Sequence, residues 1–342
     1  MKRLGKPVRK ILDLAVYWIK ERDSIWRKRH VKKLPPPWTS DPVMEQYSWT
    51  NTTRRKDRGT LIMYRDVYGM WKCTPGFGDR GRADLLIFNV CLYRIFNRVD
   101  TWRAIVKALG KPLAPDWSAK TRRKVLRGLE RYRDEQGGKV FTQAYMTWGG
   151  GNRRKIGSGN KPKFYVNERI ADLWERLPAI DLSLNFGAQE PVFDEISKAL
   201  AFGPFIASQI VFDLTYTCIM GTLGGLEPAF YETDDDTIVG WEVPRGKRSN
   251  IQDLDTWVMC GPGARLFLRL LWPDEKFGKP EEMIEGTRAF WRALQRKSKH
   301  PAVQDLDLHD AENALCECWK FYKLTHTERR FNPRRFHGKG DK

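Results

Sequence analysis

The chain has 342 residues, 41% hydrophobic and including 14 Trp, which is enough apolar mass for a packed interior and excludes a disordered chain. A formal charge of +19 and a pI near 9.7 point to a polyanionic partner, most often nucleic acid. A basic protein carrying solubilising lysines is the plainer alternative. Against it stand the many arginines interleaved with aromatics, as in DSIWRKRH and RRFNPRRFH.

In chain order, helical periodicity comes first at residues 8–30, where Val8, Ile11, Leu12, Ala15 and Ile19 fall on one side. Charges interrupt this run, so it reads as neither signal peptide nor membrane span. Residues 60–70 and 138–148 suggest short peripheral β-hairpins. Helices are expected at 83–97, at the very basic 118–136, at 191–201 and 204–220 split by Gly203-Pro204, and at 263–272, 280–298 and 307–325. A Gly-rich basic loop, WGGGNRRKIGSGNKPK, carries Arg153 and Arg154 and holds no GxxxxGK[ST] phosphate loop. No repeat, heptad array or long linker divides the chain. The economical organisation is a basic N-terminal helix and linker over 1–37, one helical domain over 38–333, and a basic tail over 334–342.

Charge is uneven. Residues 1–33 hold twelve Lys/Arg against three acids, residues 120–169 fourteen against four, and residues 227–255 three against eight. Two basic lobes and one acidic stretch suggest a DNA-facing side; the run YETDDDT reads as a solvated loop. The six cysteines form no CxxC pair and no His cluster accompanies them, so a zinc site is not expected and a reduced cytoplasmic setting fits.

Two Gly-Pro turns open directly into helices, CGPGARLFL at 260–268 and AFGPFIASQ at 201–209. Exposed N–H groups at such a turn attract anions. The shape resembles the helix-hairpin-helix DNA-binding element, with Gly261, Gly263 and Arg265 set for a backbone phosphate, as are Arg153 and Arg154. The bland alternative is only a helix start.

Polar groups gather among aromatics in WTSDPVMEQYSWTNTTRRKDRGT at 38–60. With Tyr93-Arg94 and Asn97, Gly203 to Tyr216, the GPGA turn, Asp310 with Glu312, Leu315, Cys316 and Glu317, and Arg329 to Pro333, this series resembles a bacteriophage family. That family contains the α-glutamyl/putrescinyl thymine pyrophosphorylases (amino acid:DNA transferases) and the helical domain of 5-hydroxymethyluracil DNA kinases. The elements stand in order over about residues 38–333. Two departures are Trp319, where an acid is expected, and Phe267, where the family has Gly.

The resemblance implies a mostly α, helix-hairpin-helix DNA-glycosylase-like fold and an enzyme acting on double-stranded DNA in an infected bacterial cytoplasm. An amino acid or polyamine would displace pyrophosphate from 5-(pyrophosphoryloxymethyl)uracil. No cofactor is implied, a magnesium requirement is left open, and no membrane is involved. Without a phosphate loop the kinase role is disfavoured. Arg54, Arg58 and Arg94 are candidates for the pyrophosphate, because guanidinium forks match phosphoryl oxygens; a buried ion pair of Arg94 with Asp57 or Asp213 is the competing reading. A flipped base needs a lined pocket, for which Trp38, Asn51, Asp57 and Tyr216 are candidates. Asp213, Asp310 and Glu317 would bind and deprotonate the amine. Asp310, Asn313 and Glu317 share one helix face, which otherwise reads as solvated. Cys316 is either a nucleophile or a packed thiol. A glycosylase of this build would need a hairpin lysine and a later aspartate that AFGPFIASQIVFD lacks. A non-catalytic DNA-binding protein would not need an acid buried in IVFDLTY.

Overall fold

The computed structural model describes residues 4–73, 82–137, 140–141, 161–199, 202–220 and 251–326. The principal helices are α1 (Arg9–Trp26), α2 (Pro42–Gln46), α3 (Arg58–Met63), α4 (Ala83–Phe96), α5 (Val99–Leu109), α6 (Ala119–Gln136), α7 (Ile170–Ser183), α8 (Gln189–Lys198), α9 (Pro204–Thr215), α10 (Pro262–Leu271), α11 (Pro280–Lys297) and α12 (Leu308–His326). The described residues contain no extended β-strand. They group into two compact units: residues 4–57 with 255–326, and residues 58–220 with 251–254. The stretch 38–333, read from sequence as one domain, thus contributes to both units.

In the first unit, α1, α10, α11 and α12 enclose a core of Trp18, Ile19, Phe267, Leu268, Phe290, Leu294, Leu315 and Phe321. Val8 N–H donates to Leu271 O at 2.8 Å, which fastens the start of α1 to the end of α10. The WTxDP segment is a helix start. Asp41 Oδ1 accepts from the N–H groups of Val43 and Met44 at 2.9 Å each, with Pro42 at the first helical position.

In the second unit, α4 is apolar around its whole circumference. Leu85, Phe88, Leu92, Ile95 and Phe96 are all buried, as expected of a central helix packed on every side. The second unit packs α7 and α9 against it. Asn97 ends α4 in the left-handed conformation (φ 46°), its N–H donating to Tyr93 O at 2.7 Å.

The expected strand at 60–70 is helical. From α3 the chain stays helical through Tyr64–Gly69 into Met70–Cys73. Its buried side chains Thr60, Tyr64, Val67, Tyr68 and Trp71 recur at helical spacing, so the period outweighs the β-propensity of the composition. The expected hairpin at 138–148 lies almost wholly outside the described residues.

Of the two Gly-Pro turns, Gly203-Pro204 has a helix on either side, α8 and α9. Gly261-Pro262 is entered by non-helical chain and has a helix only after it. No described helix is long and apolar enough to cross a membrane.

Candidate active-site clusters

The motif blocks assemble as two clusters, one in each unit. In the second unit, Arg94 of α4 and Asp213 of α9 are fully buried, both side chains 0% exposed. Arg94 Nε donates to Asp213 Oδ2 and Nη2 to Oδ1 at 2.9 Å, a two-pronged pair. The remaining valences are filled as well. Arg94 Nη2 donates to Thr60 Oγ1 at 3.0 Å and Nη1 to Asn97 Oδ1 at 2.9 Å, while the Thr60 hydroxyl donates to Asp213 Oδ1 at 3.2 Å. A charge pair taken out of water is tolerated only with this degree of satisfaction. The geometry is that of the ion-pair reading of Arg94, with Asp213 as partner. Tyr216, just past the end of α9, is buried too.

In the first unit, one face of α12 holds the 48–56 loop. Asp310, 2% exposed, accepts from Arg54 N–H at 2.7 Å and from Asp307 N–H at 3.2 Å. One and about three turns on, Asn313 Nδ2 donates to Thr50 Oγ1 at 3.0 Å and Asn51 O at 3.2 Å, and Lys320 Nζ reaches Ser48 O and Glu317 Oε2, the latter at 3.4 Å. Lys320 also lies 4.3 Å from the centre of the Trp49 ring. Asn51 is occupied inside the loop, its Nδ2 donating to Lys56 O at 2.6 Å. Arg54 approaches Asp57 Oδ2 at 3.9 Å. Trp38 is half-buried, its ring nitrogen donating to Leu34 O at 2.7 Å and Arg29 resting 5.3 Å from its ring centre. Arg58, the first residue of α3, is exposed.

Beneath the loop lie charges that the sequence reading passed over. Lys56 and Arg27 both bond Asp23, at 2.8 and 2.6 Å, and Arg55 bonds Asp305 at 2.5 Å. Burial raises the Asp23 pKa, but the hydrogen bonds from Lys56 and Arg27 overcome it and hold the carboxyl below its ordinary value.

The anion at the Gly261 turn belongs to the protein. Gly261 N–H donates to Glu312 Oε1 at 2.9 Å, and Cys316 Sγ–H to the same oxygen at 3.4 Å. Burial pushes the Glu312 pKa up, against the pull of those two bonds. Burial and the neighbouring Glu312 carboxylate hold the Cys316 thiol well above its ordinary value, so it stays protonated at neutral pH and is a poor nucleophile. Gly263 packs on the same helix: a Cβ there would come within 3.2 Å of Cys316 Sγ. Arg265, in the first turn of α10, is half-buried, and its Nε has no hydrogen-bond partner among the described residues. Arg153 and Arg154 lie outside the described residues. No described group of three or more His, Cys, Asp or Glu is placed to hold a metal ion.

The described residues form a mostly helical fold with two buried polar clusters, and in this strongly basic protein the arginine-rich motif blocks are built into that scaffold. Residues 9–222 and 247–330 match the family model described as 5-hmdU DNA kinase, helical domain, and the chain belongs to that family. It is 26% identical over 326 residues to a 5-hmdU DNA kinase of Bacillus phage SP10, a match covering 94% of this chain and 46% of that protein. The chain therefore spans about half the length of this relative. No solved structure matches it.

Proposed function

We propose that the protein takes part in thymine hypermodification of phage DNA, transferring an amino acid or polyamine onto 5-(pyrophosphoryloxymethyl)uracil with release of pyrophosphate. The family match carries the DNA-base part of this reading. The transferase part rests on the residues, in which arginines and carboxylates recur in the motif blocks. Arg54 neutralises the leaving pyrophosphate, the guanidinium fork matching its oxygens. Glu317, whose side chain is 15% exposed, accepts the proton of the incoming amine. Arg94, Asp213 and Asp310 are too deeply buried and too fully bonded to exchange partners with substrate. They act as positioning residues: Asp310 fixes the loop that bears Arg54, and the Arg94–Asp213 pair fixes α4 against α9. Trp38, Asn51 and Asp57 remain candidates for the flipped base, Asn51 contributing through the backbone it holds, while Tyr216 is buried in the second unit.

The test is to incubate the protein with duplex carrying the pyrophosphorylated base and a panel of amines, then read nucleoside masses and released pyrophosphate. An amine adduct formed with stoichiometric pyrophosphate is expected. Absence of any adduct across the panel defeats the transferase reading. A second reading, service as the helical part of a 5-hmdU DNA kinase, is favoured by the match itself. It predicts a phosphorylated nucleoside from hydroxymethyluracil duplex and ATP, and no amine adduct.

A further inference from the structure

The α5–α6 hairpin of the second unit is marked in the sequence only by α6, as a very basic helix. Its two helices pack against each other with Gly128 at the crossing, where a Cβ would sit 2.5 Å from Ala108 Cβ and 3.1 Å from Ala104 O. Only a glycine lets the backbones approach this closely without displacement. Asn89 then ties the connecting segment to α4, donating to Ala114 O at 3.1 Å and accepting from Ala114 N–H at 2.8 Å. The hairpin is thus a rigid platform.

Its outer surface is a row of cations. Lys107 of α5 and Lys120, Arg123, Lys124, Arg127 and Arg131 of α6 are all exposed. Lys120, Lys124, Arg127 and Arg131 follow the 4–3–4 spacing of one helix stripe. None of the six forms an ion pair with a described carboxylate. Several cations elsewhere are neutralised locally: Arg27, Arg82, Arg176 and Lys297 lie 2.6, 3.1, 3.2 and 2.7 Å from carboxylate oxygens. Glu130 flanks the row, and Asp134 and Glu135 close it at the end of α6. Like charges held this close repel one another, so the unrelieved row calls for an external polyanion.

Three classes of polyanion present themselves, and the side chains choose among them. Single-stranded nucleic acid is gripped by stacking on exposed rings. The aromatics of this hairpin, Trp102, Trp117 and Tyr132, are all buried, at 2%, 4% and 7% exposure. An anionic membrane surface would need apolar groups among the cations, and none of the large exposed hydrophobics lies on α5 or α6. A duplex backbone needs only charge. From Lys120 to Arg131 the row is about 16 Å long, a length over which one DNA strand offers about five phosphates.

We propose that the α5–α6 hairpin is a seat for the phosphate backbone of double-stranded DNA, reading charge and not sequence. It rests on the reading that the protein acts on DNA, but not on which reaction it performs. The test is the affinity of the intact protein for unmodified duplex, by fluorescence anisotropy over a range of salt. Replacing Lys120, Arg127 and Arg131 together by Gln removes three contacts and keeps good helix formers. The log–log salt slope is expected to fall by about 2.7, that is about 0.9 per phosphate released, with the melting temperature unchanged or raised. A control triple of exposed cations in the first unit, Arg292, Arg296 and Lys299 to Gln, is expected to leave the slope nearly intact. An unchanged slope in the hairpin triple, an equal drop in the control, or tighter binding of a single strand than of duplex overturns the proposal. Failure of amine transfer leaves this measurement untouched, so the two readings fail separately.

Discussion

Gly261 and Glu312 are joined by a hydrogen bond of 2.9 Å, the backbone N–H at the start of α10 donating to a carboxylate oxygen from α12. A helix start that looks open to a phosphate in sequence is therefore already occupied. α10 also meets α12 closely here: a Cβ at Gly263 would lie 3.2 Å from Cys316 Sγ, whereas one at Gly261 would make ordinary contacts with Glu312 and Cys316.

Glu312→Ala should destabilise the protein by about 1–3 kcal/mol, since it orphans the Gly261 N–H next to Cys316. Glu312→Gln keeps an acceptor in place and removes the buried charge. The folded-state pKa of Glu312 is raised, so its contribution is greatest at low pH and is lost as pH rises through that value. Thermal melts from about pH 5 to 8 should show wild type losing stability relative to Glu312→Gln. A wild type that instead gains on the variant over that range would refute the assignment.

For the buried pair, removing one partner strands the other. Asp213→Asn leaves the Arg94 guanidinium, 0% exposed, without its counter-charge, and should cost about 3–5 kcal/mol. Thr60→Val should cost less, about 1–3 kcal/mol, because it removes one hydroxyl from a network that retains its charges. Raising the pH should not restore transfer in Asp213→Asn. Restored transfer in a stably folded Asp213→Asn protein would make this aspartate the base after all.

The helices α1, α6 and α10 to α12 are legible in sequence because their apolar residues keep a 3.6 period, several with a Pro or a capping residue at the start, and α4 because it is a long apolar run. α7 escaped notice because Pro178 lies inside it and reads as a breaker. Residues 60–70 read as strand because Thr60, Ile62, Tyr64 and Val67 carry β-propensity, which burial on helical spacing overrides. At the candidate site, period alone places Asp310, Asn313 and Glu317 on one face. What that face meets is not periodic: the bond from Arg54 N–H to Asp310 spans 256 residues. Glu312 stood in the motif without a role, because its partner is a backbone N–H, which carries no residue signature.

The Gly128 crossing makes a separate prediction. In Gly128→Ala the new methyl must displace Ala108 or the Ala104 carbonyl, both parts of a packed helix. A loss of about 1–3 kcal/mol is expected, the range for overpacking. Ordinarily Gly→Ala within a helix gains up to about 1 kcal/mol. A rise in melting temperature would therefore show that the helices do not approach this closely.

His30 supplies a pH dependence of opposite sense to that of Glu312. Burial and then the cations Arg29, Lys33 and Arg22 lower its pKa from 6.5 to about 4. Above 6.5 the ring is neutral in both folded and unfolded chains. Between 6.5 and 4 the unfolded chain takes up a proton that the folded one refuses, so stability falls as pH falls through that window. His30→Gln should flatten the melting temperature against pH there, and an unaltered profile would remove His30 as the cause.

Glu317 is the sharpest functional test, because it is the most accessible of the three proposed acids. Its carboxylate contacts Lys320 at 3.4 Å and the described residues give it no backbone group to hold, so Glu317→Gln should leave the fold and duplex affinity intact. Transfer should fall by about a hundredfold or more, the usual worth of a positioned base. Since the base acts by freeing the amine of its proton, higher pH should recover part of the loss by supplying more free amine. A merely structural Glu317 predicts a lower melting temperature and no recovery with pH. Measuring adduct formation by nucleoside mass spectrometry across pH, with a melt at each point, separates these outcomes. Normal transfer by folded Glu317→Gln removes Glu317 from the reaction, and Arg54 would then be the part of the proposed site left to test.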